Sequence, residues 1–368
     1  MDNVQNFVEK YYEDIIDDIK KVTLVASPPF AEGKRIMYLN EYVKNLGYKA
    51  TEIDREGNLR VMLKGESSGL QVFSAHVDTV FPEGTKLEIK ESKQSIGCPG
   101  ICDNSTGVVA ALYLMRYIKE NNIIPKTDVM FLFNVGEEGL GNLRGIRYFF
   151  DTIEQERIIA HICIEGHTIG RLTRKVVGSY RSKVMVMGEG GHSWRDFGNT
   201  NAIVVAAEMI RRFAAIKLSK EPKTTLNIGT IRGGECVNAI PAQAEFSVEI
   251  RSPDPRALAS VKKSCDSIVS SMRKDGYKIE SEVMGERPCG EMNEKWLVGK
   301  IQKVHKLLDI KTIDDVGSTD SNYPISLGLA SVTIGVTEGK NTHSVDEYLL
   351  KGHIRKGVEQ VIHIFNEF

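Results

Sequence analysis

Three features are scarce in this sequence, and each scarcity excludes a class of protein. The six cysteines show no paired Cys-x-x-Cys spacing, which argues against a disulfide scaffold and favours reduced thiols. The longest apolar runs, such as 327–336, reach about half the length of a bilayer span. Basic residues are not in excess, because 48 lysines and arginines face 49 aspartates and glutamates. Nucleic-acid and anionic-membrane partners, which require such an excess, are therefore not expected.

The amino-terminal stretch also lacks the pattern of a signal peptide. Residues 1–21 are acidic and periodic rather than basic and then apolar, so we expect a soluble, cytoplasmic protein. At 368 residues the chain is long for one hydrophobic core, and two domains are expected. The composition, 41% hydrophobic and 26% charged, is that of an ordinary globular protein.

The order of apolar runs predicts the fold class. Continuous apolar runs such as 128–135 and 158–165 are typical of strands buried on both faces. Their alternation with helical stretches predicts an α/β domain with a largely parallel sheet. Alternating strands and two helices then predict an antiparallel α+β unit. We therefore expect the α/β domain in two parts, 1–176 and 288–368, with an α+β insert at 177–287. The last helix is expected to open with Ser344 and Glu347 as a capping box.

Polar side chains gather at the predicted carboxyl ends of the strands, where ligands bind in open α/β sheets. His76 and Asp78 are two positions apart and therefore point to the same face of their strand. Glu137, Glu138 and Glu165 lie at other strand ends, and Asp103 opens a predicted helix. Several carboxylates in one cleft are costly unless they are protonated, solvated or bound to cations. With His76 and a late His343, the set offers nitrogen and oxygen ligands without sulfur, which suits zinc, cobalt or manganese.

Eight short motifs occur in the order of a known family. They are SAHVDTV, GICDNSTG, NVGEEGLG, CIEG, GEGGHSW, CVNAIP, GSTDSN and NTHSVDE. In this order they resemble the di-zinc metallopeptidases and aminoacylases, a family that includes acetylornithine deacetylase, succinyl-diaminopimelate desuccinylase, carboxypeptidases and peptidase T. The resemblance covers nearly the whole chain from about residue 70. It implies a zinc-exopeptidase-like catalytic domain and makes the α+β insert a lid and dimerisation domain.

The resemblance also implies a ligand set for two divalent metal ions, most simply zinc. His76 and Glu165 would bind the first metal, and Glu138 and His343 would bind the second. Asp103 would bridge the two metals, and the peptide bond after it is usually cis in the family.

Further roles follow from the same resemblance. Asp78 would orient His76 through its second ring nitrogen, and Glu137 would be the general base on the attacking water. His192 in the lid is expected to reach the active site of the partner subunit in a homodimer and to polarise the scissile carbonyl. The residues matched to positions that hold the substrate carboxylate are Arg251, Asn238, Ser318 and Thr319.

The substrate class depends on two residues. In the family that the chain resembles, a glutamate at the position of Glu165 tends to accompany carboxypeptidases and N-acyl amino-acid deacylases, and an aspartate the aminopeptidases. With Arg251 as a carboxylate clamp, the resemblance therefore implies an amide bond beside a free α-carboxylate, in a small peptide or an N-acyl amino acid. The loop GEEGLG keeps a di- or tripeptide aminopeptidase as an alternative, and a metal-free binding protein on the same fold is another. A serine- or cysteine-dependent hydrolase is a further alternative, but the sequence lacks the nucleophile-elbow motif that would support it. Trp194 stands where the family more often has a small residue, so the size of the pocket is open.

Several of these residues also have a purely structural interpretation. His192 could be a loop residue, and Arg251 could form a surface ion pair. His161 is expected in the core or behind the ligands, and His167 is left open as a pocket residue.

Overall fold

The computed structural model describes residues 2–368, which fold into two compact units. Unit 1 contains the chain up to Val176 together with Glu291–Phe368, and unit 2 contains Val177–Gly290. None of the helices in the described part of the chain combines the length and the hydropathy that a membrane crossing requires.

The secondary-structure elements are numbered in chain order. The α-helices are α1 (Asn3–Lys10), α2 (Tyr12–Leu24), α3 (Gly33–Asn45), α4 (Gly107–Glu120), α5 (Arg144–Thr152), α6 (Ala202–Ala214), α7 (Pro255–Lys274), α8 (Lys295–Leu307), α9 (Asn322–Ser326) and α10 (Ile354–Asn366). The strands are β1 (Thr51–Ile53), β2 (Leu59–Leu63), β3 (Ser67–His76), β4 (Lys90–Glu91), β5 (Ser95–Gly97), β6 (Thr127–Asn134), β7 (Ile158–Glu165), β8 (Arg171–Val176), β9 (Gly178–Met187), β10 (Gly191–His192), β11 (Thr225–Gly233), β12 (Ala239–Ile240), β13 (Gln243–Ser252), β14 (Lys278–Arg287), β15 (Gly290–Glu291), β16 (Ile313–Gly317), β17 (Ser331–Gly335), β18 (Glu338–Lys340) and β19 (Tyr348–Leu350).

The main sheet belongs to unit 1 and has the strand order β1-β2-β6-β3-β7-β17-β8-β15, with β16 paired to β8. Its four central strands, β6, β3, β7 and β17, are parallel. Antiparallel pairs flank them on both sides, β2 with β6 and β17 with β8. The predicted α/β class is confirmed, with a mixed sheet whose middle is parallel and with one further parallel pair, β16 with β8, outside it. That middle contains the strand ends at which the acids were expected.

Both faces of this sheet are covered, which explains the continuous apolar runs. Phe73 and Ala75 of β3 enter the large cluster that includes α4 and α10. Leu70 and Val72, at alternate positions, enter a second cluster with α5. Helix α4 is apolar around most of its circumference because it lies between the sheet and helices α2 and α10.

A second, smaller sheet of unit 1 has the order β18-β19-β5-β4 and is antiparallel. Strand β19 follows directly after Glu347, and the last helix begins only at Ile354. The predicted capping box at Ser344 and Glu347 is therefore wrong. The local pattern resembles a helix start, but the chain after it pairs with β5 as a strand.

Unit 2 has a four-stranded antiparallel sheet of order β11-β13-β9-β14. Helices α6 and α7 pack on β13 and β9 around an apolar core of their own. A separate two-stranded ribbon joins β10 to β12, with His192 opposite Ala239.

Candidate metal centre

Three of the predicted ligands converge at the ends of the central parallel strands. His76 is the last residue of β3, and Glu165 is the last residue of its neighbour β7. The Nε2 atom of His76 lies 3.1 Å from Asp103 Oδ1 and 3.7 Å from Glu165 Oε2. One ligand atom of each residue lies within 4.8 Å of the other two. We call this set, His76, Asp103 and Glu165, group A.

A second set of three residues shares Asp103 with group A. His343 Nε2 lies 3.1 Å from Asp103 Oδ2 and 3.1 Å from Glu138 Oε1. We call Asp103, Glu138 and His343 group B. Asp103 therefore presents Oδ1 to the histidine of group A and Oδ2 to the histidine of group B. Two three-residue groups joined by one carboxylate match the donor pattern of a dinuclear metal site.

The loop that carries Asp103 is held tightly against the end of β7. The peptide bond between Asp103 and Asn104 is cis, as the resemblance implies. The side-chain amide of Asn104 donates to the Ile164 carbonyl oxygen at 2.9 Å. At Gly166, a Cβ atom would lie only 1.8 Å from the Cys102 carbonyl oxygen, so only glycine permits this approach.

Asp78 connects His76 to the loop that carries the other acids. Its carboxylate accepts the backbone N–H groups of Glu137 at 3.0 Å and Glu138 at 2.7 Å. His76 Nδ1 donates to the backbone carbonyl of Asp78 at 3.2 Å, while Asp78 Oδ1 is 3.6 Å away. With its proton on Nδ1, His76 presents the lone pair of Nε2 to Asp103 and Glu165, which is the tautomer a metal ligand needs.

The charges of the two groups shift one another's pKa. Burial and the charge of Asp103 raise the pKa of Glu138 to about 8. Hydrogen bonds to Asp103 and Glu138 raise the pKa of His343 to about 11. Burial opposes a charged His76, but the nearby carboxylates of Asp103 and Asp78 outweigh it and raise that pKa well above its usual range. Each shift favours more positive charge in the cluster, and a bound cation supplies such charge.

The donor set fits divalent cations on two further observations. The buried Nε2 atom of His76 makes no hydrogen bond of satisfactory geometry within residues 2–368, so it is available to a metal. Each group contributes one imidazole and two carboxylates. Three protein ligands with a position left for solvent or substrate is the arrangement of catalytic zinc sites.

Glu137 lies beside group B and is buried to the same extent as Glu138, each being 6% exposed. Both follow the end of β6, and their backbone N–H groups are fixed by Asp78. This places an acid that belongs to neither group next to a ligand in the sequence.

Two further histidines near Glu165 have different surroundings. His161 is fully buried between the hydroxyl groups of Ser74 at 2.7 Å and Ser331 at 2.8 Å. Burial lowers its pKa to about 3, so it is neutral. His167 is partly exposed, and its Nε2 atom lies 3.9 Å from Glu165 Oε2. His161 therefore belongs to the core, whereas His167 borders group A.

The predicted substrate-binding residues of unit 1 lie in a hydrogen-bonded loop. Thr319 is buried, and its hydroxyl contacts the Thr333 hydroxyl at 2.7 Å, whereas Ser318 is partly exposed. Motif reasoning missed the next residue. Asp320 is fully buried, and its Oδ2 atom accepts the side-chain amide of Asn134 at 2.7 Å. Asn134 lies opposite His76 in the pairing of β6 with β3. Asp320, which bonds Asn134, therefore lies close to the His76 end of group A.

The remaining predicted site residues belong to unit 2. His192 and Asn238 are exposed, and the N–H of Ser193 donates to the Asn238 carbonyl at 3.0 Å, which brings these two residues together. The N–H of Trp194 donates to His192 Nδ1 at 3.2 Å. Arg251 pairs with Glu249 on the same strand, with Nε 2.9 Å from Oε2.

A family model described as peptidase family M20/M25/M40 matches residues 72–367. Acetylornithine deacetylase from Klebsiella pneumoniae (strain 342) is 26% identical over 322 residues, which cover 82% of this chain and 82% of that protein.

Solved structures share the fold over nearly the whole chain. A tripeptidase from Staphylococcus aureus matches with a TM-score of 0.80 at 21% identity, covering 97% of this chain and 98% of that chain. A Bacillus subtilis protein described as a dinuclear metal-binding peptidase of the M20 family matches with a TM-score of 0.69 at 14% identity, covering 97% of this chain and 98% of that chain. These likenesses support the fold class described above.

Proposed function

We propose an enzymatic function, because this chain belongs to the peptidase family M20/M25/M40. The reaction is the metal-dependent hydrolysis of an amide bond in a small peptide or an N-acyl amino acid. The observation that carries the proposal is the sharing of Asp103 between groups A and B, whose donor atoms fit two divalent cations. Among the relatives and the similar structures, one is named as an acetylornithine deacetylase and one as a tripeptidase.

Group A and group B are proposed to hold one divalent cation each, most simply zinc, with cobalt or manganese as alternatives. Such ions would supply Lewis-acid polarisation of the amide carbonyl and would acidify the attacking water. Asp103 and Glu165 bring negative charge that offsets the cations, and Asp78 fixes the tautomer of His76. This assignment leaves Glu137 without a ligand role.

Glu137 is proposed as the general base. Its carboxylate accepts a proton from the attacking water and then donates that proton to the leaving amine nitrogen, so that water and amide become carboxylic acid and amine. Its support is its position, since it is buried beside Glu138 with its backbone fixed by Asp78. A general base contributes about 10²–10⁴-fold to the rate of such a step.

His192 is proposed to stabilise the developing oxyanion in the active site of the partner subunit. The exposed ring accepts the Trp194 N–H at Nδ1, so the neutral imidazole carries its proton on Nε2 and can donate it. A homodimer formed through unit 2 is part of this proposal. Strand β11 is an edge strand of its sheet with largely exposed side chains, and such edges pair readily with another chain.

The preferred substrate carries a free α-carboxylate beside the scissile amide, held by Arg251, Asn238 and the Ser318-Thr319 loop. The support is the arginine and the glutamate at position 165. In the structure, Arg251 is paired with Glu249, so binding a substrate carboxylate requires the guanidinium to exchange partners or to bind both. A di- or tripeptide aminopeptidase is the second candidate, favoured by the GEEGLG loop.

The test is a substrate panel assayed with zinc, cobalt or manganese and with a chelator control. The panel contains N-acyl amino acids, dipeptides and tripeptides, each with a free and an amidated carboxyl terminus. We expect metal-dependent hydrolysis that the chelator abolishes, with the free carboxylate preferred. Preference for a free amino terminus would support the aminopeptidase, and chelator-resistant turnover would overturn the metal mechanism. Absence of turnover together with absence of bound metal would support a binding protein.

A further inference from the structure

We propose that Glu347 is a positioning residue that locks the Asp103 loop to the His343 loop and thereby sets the metal affinity of group B. The inference rests on the proposed metal-dependent function and names a residue that belongs to neither group. Its basis is a buried carboxylate that bonds the backbone on one side of Asp103 and belongs to the same loop as His343.

Glu347 is only 1% exposed, and its carboxylate accepts three backbone N–H groups. Oε2 accepts from Gly100 at 3.1 Å, and Oε1 accepts from Cys102 at 2.7 Å and from Asp103 at 3.0 Å. The bonded residues are about 245 positions away in the sequence. A buried carboxylate is costly unless its oxygen atoms are hydrogen-bonded, and here the partners that satisfy it are the amides of the loop that presents Asp103.

The small sheet of unit 1 explains why Glu347 reaches this loop. Strand β19 pairs antiparallel with β5, with Tyr348 opposite Gly97. The strand pairing ends there. Beyond it, the segment next to β19 is the His343 loop and the segment after β5 is the Asp103 loop. The Cys98 N–H donates to the Glu347 carbonyl at 3.0 Å. The backbone and the side chain of Glu347 therefore both bond to the segment that leads into the Asp103 loop.

The loop on the other side needs such support. His343 has a φ of 66°, in the left-handed region, as does Asn341 with a φ of 56°. Asparagine adopts this region readily, but a histidine there is uncommon and is held by its surroundings. The Glu347 N–H donates to the Ser344 carbonyl at 3.0 Å, and the Ser344 N–H donates to the Asn341 carbonyl at 3.0 Å. A series of hydrogen bonds therefore connects Asn341 through Ser344 and Glu347 to the backbone N–H of Asp103.

The two groups depend on this path to different degrees. Group A uses Asp103 together with strand ends, His76 and Glu165, which the main sheet fixes independently. Group B needs Asp103 and His343 together, and these are the two loops that Glu347 joins. Loss of the Glu347 carboxylate therefore weakens group B more than group A.

The experiment compares Glu347→Gln with Asp346→Asn, an exposed acid at the adjacent position. Cobalt is titrated into metal-free protein, and its two binding steps are followed by absorbance and calorimetry. We expect the affinity of the group B step, identified as the step that is lost in His343→Ala, to fall about 10–100-fold in Glu347→Gln, as for other residues that orient ligands. The group A step is expected to change less, and Asp346→Asn is expected to match the unsubstituted protein.

A second measurement separates positioning from general destabilisation and does not depend on turnover. In metal-free Glu347→Gln, hydrogen exchange of the amides of residues 100–103 is expected to accelerate, while exchange in β3 and β7 is unchanged. Glu347→Asp serves if the glutamine variant does not fold. Unchanged binding and exchange in the folded variant, or equal weakening of both steps, would overturn the inference. If the unsubstituted protein binds cobalt in two steps but hydrolyses no substrate, the proposed function is contradicted while the inference about Glu347 is not.

Discussion

The metal-centre residues of unit 1 and the predicted lid residues of unit 2 differ in how firmly the structure fixes them. His76 is fully buried, and its ring and neighbours are held by strand ends and hydrogen bonds. In unit 2, Trp194 is 88% exposed and Val237 is 101% exposed, beside His192 and Asn238. The contrast indicates that the buried ligands of the proposed metal site are preorganised within one chain, His343 being its exposed member, whereas the proposed lid residues are available to a substrate or to a second copy.

The largest effect is expected from Glu137→Gln. Because the variant keeps every proposed ligand, it should bind metal and unfold like the unsubstituted protein, while kcat falls about 10²–10⁴-fold. Steady-state kinetics and elemental analysis of the same sample check this. Asp151→Asn, an acid in α5, is the control. Near-normal turnover in Glu137→Gln would contradict the role of Glu137 as base.

His192→Ala tests the other side of the comparison. Removing an oxyanion donor typically lowers kcat about 10²–10³-fold. Because His192 is exposed, we expect the free energy of unfolding to change by no more than about 0.5 kcal/mol. Metal affinity is expected to stay the same, since unit 2 contributes no residue to groups A and B. Mixing His192→Ala with Glu137→Gln subunits should restore some activity if His192 acts in the partner subunit, and no restoration would argue for action elsewhere.

Metal binding is expected to tighten as the pH rises. The pKa of Glu138 is raised to about 8 and that of His343 to about 11. The Glu138 carboxyl and the His343 imidazole therefore hold protons at neutral pH when no metal is bound, and a metal ion must displace these protons. Each displaced proton makes the apparent affinity about tenfold tighter per pH unit below its pKa. Competition with a chromophoric chelator at pH 6, 7 and 8 measures this. Affinity independent of pH would contradict the proposed ligands.

The smallest effect is expected from Trp194→Ala. The indole is exposed, so the free energy of unfolding should change by no more than about 0.5 kcal/mol. If the indole narrows the substrate pocket, KM for bulky acyl groups falls in the variant, while KM for acetyl substrates is unchanged. Equal KM shifts for bulky and acetyl substrates would show that Trp194 does not determine the size of the pocket.

Much of the site was predictable because it lies where regular elements end. His76 and Glu165 close strands whose apolar runs are visible in the sequence, and the motif order named the other ligands. The contacts of Glu347 and Asp320 could not be predicted because they are long-range. Glu347 reads locally as a helix cap, yet it bonds amides about 245 residues away. Asp320 meets Asn134 across 186 positions, and no local pattern signals such a contact.

The fold was predictable to a similar degree. Continuous apolar strands and alternating helices indicated the α/β class, since both faces of the central sheet are covered. The antiparallel flanks, β2 on one side and β8 on the other, were not apparent from periodicity. Strand direction depends on which connections cross the sheet, and single-strand patterns do not contain that information.

The proposed sharing of Asp103 by two metal ions in one chain is tested most directly by anomalous diffraction from crystals of the zinc-loaded protein. We expect two peaks per chain, roughly 3.5–4 Å apart, one contacted by His76 and Glu165 and the other by Glu138 and His343, with Asp103 between them. A single peak, or two peaks that do not share Asp103, would contradict the account.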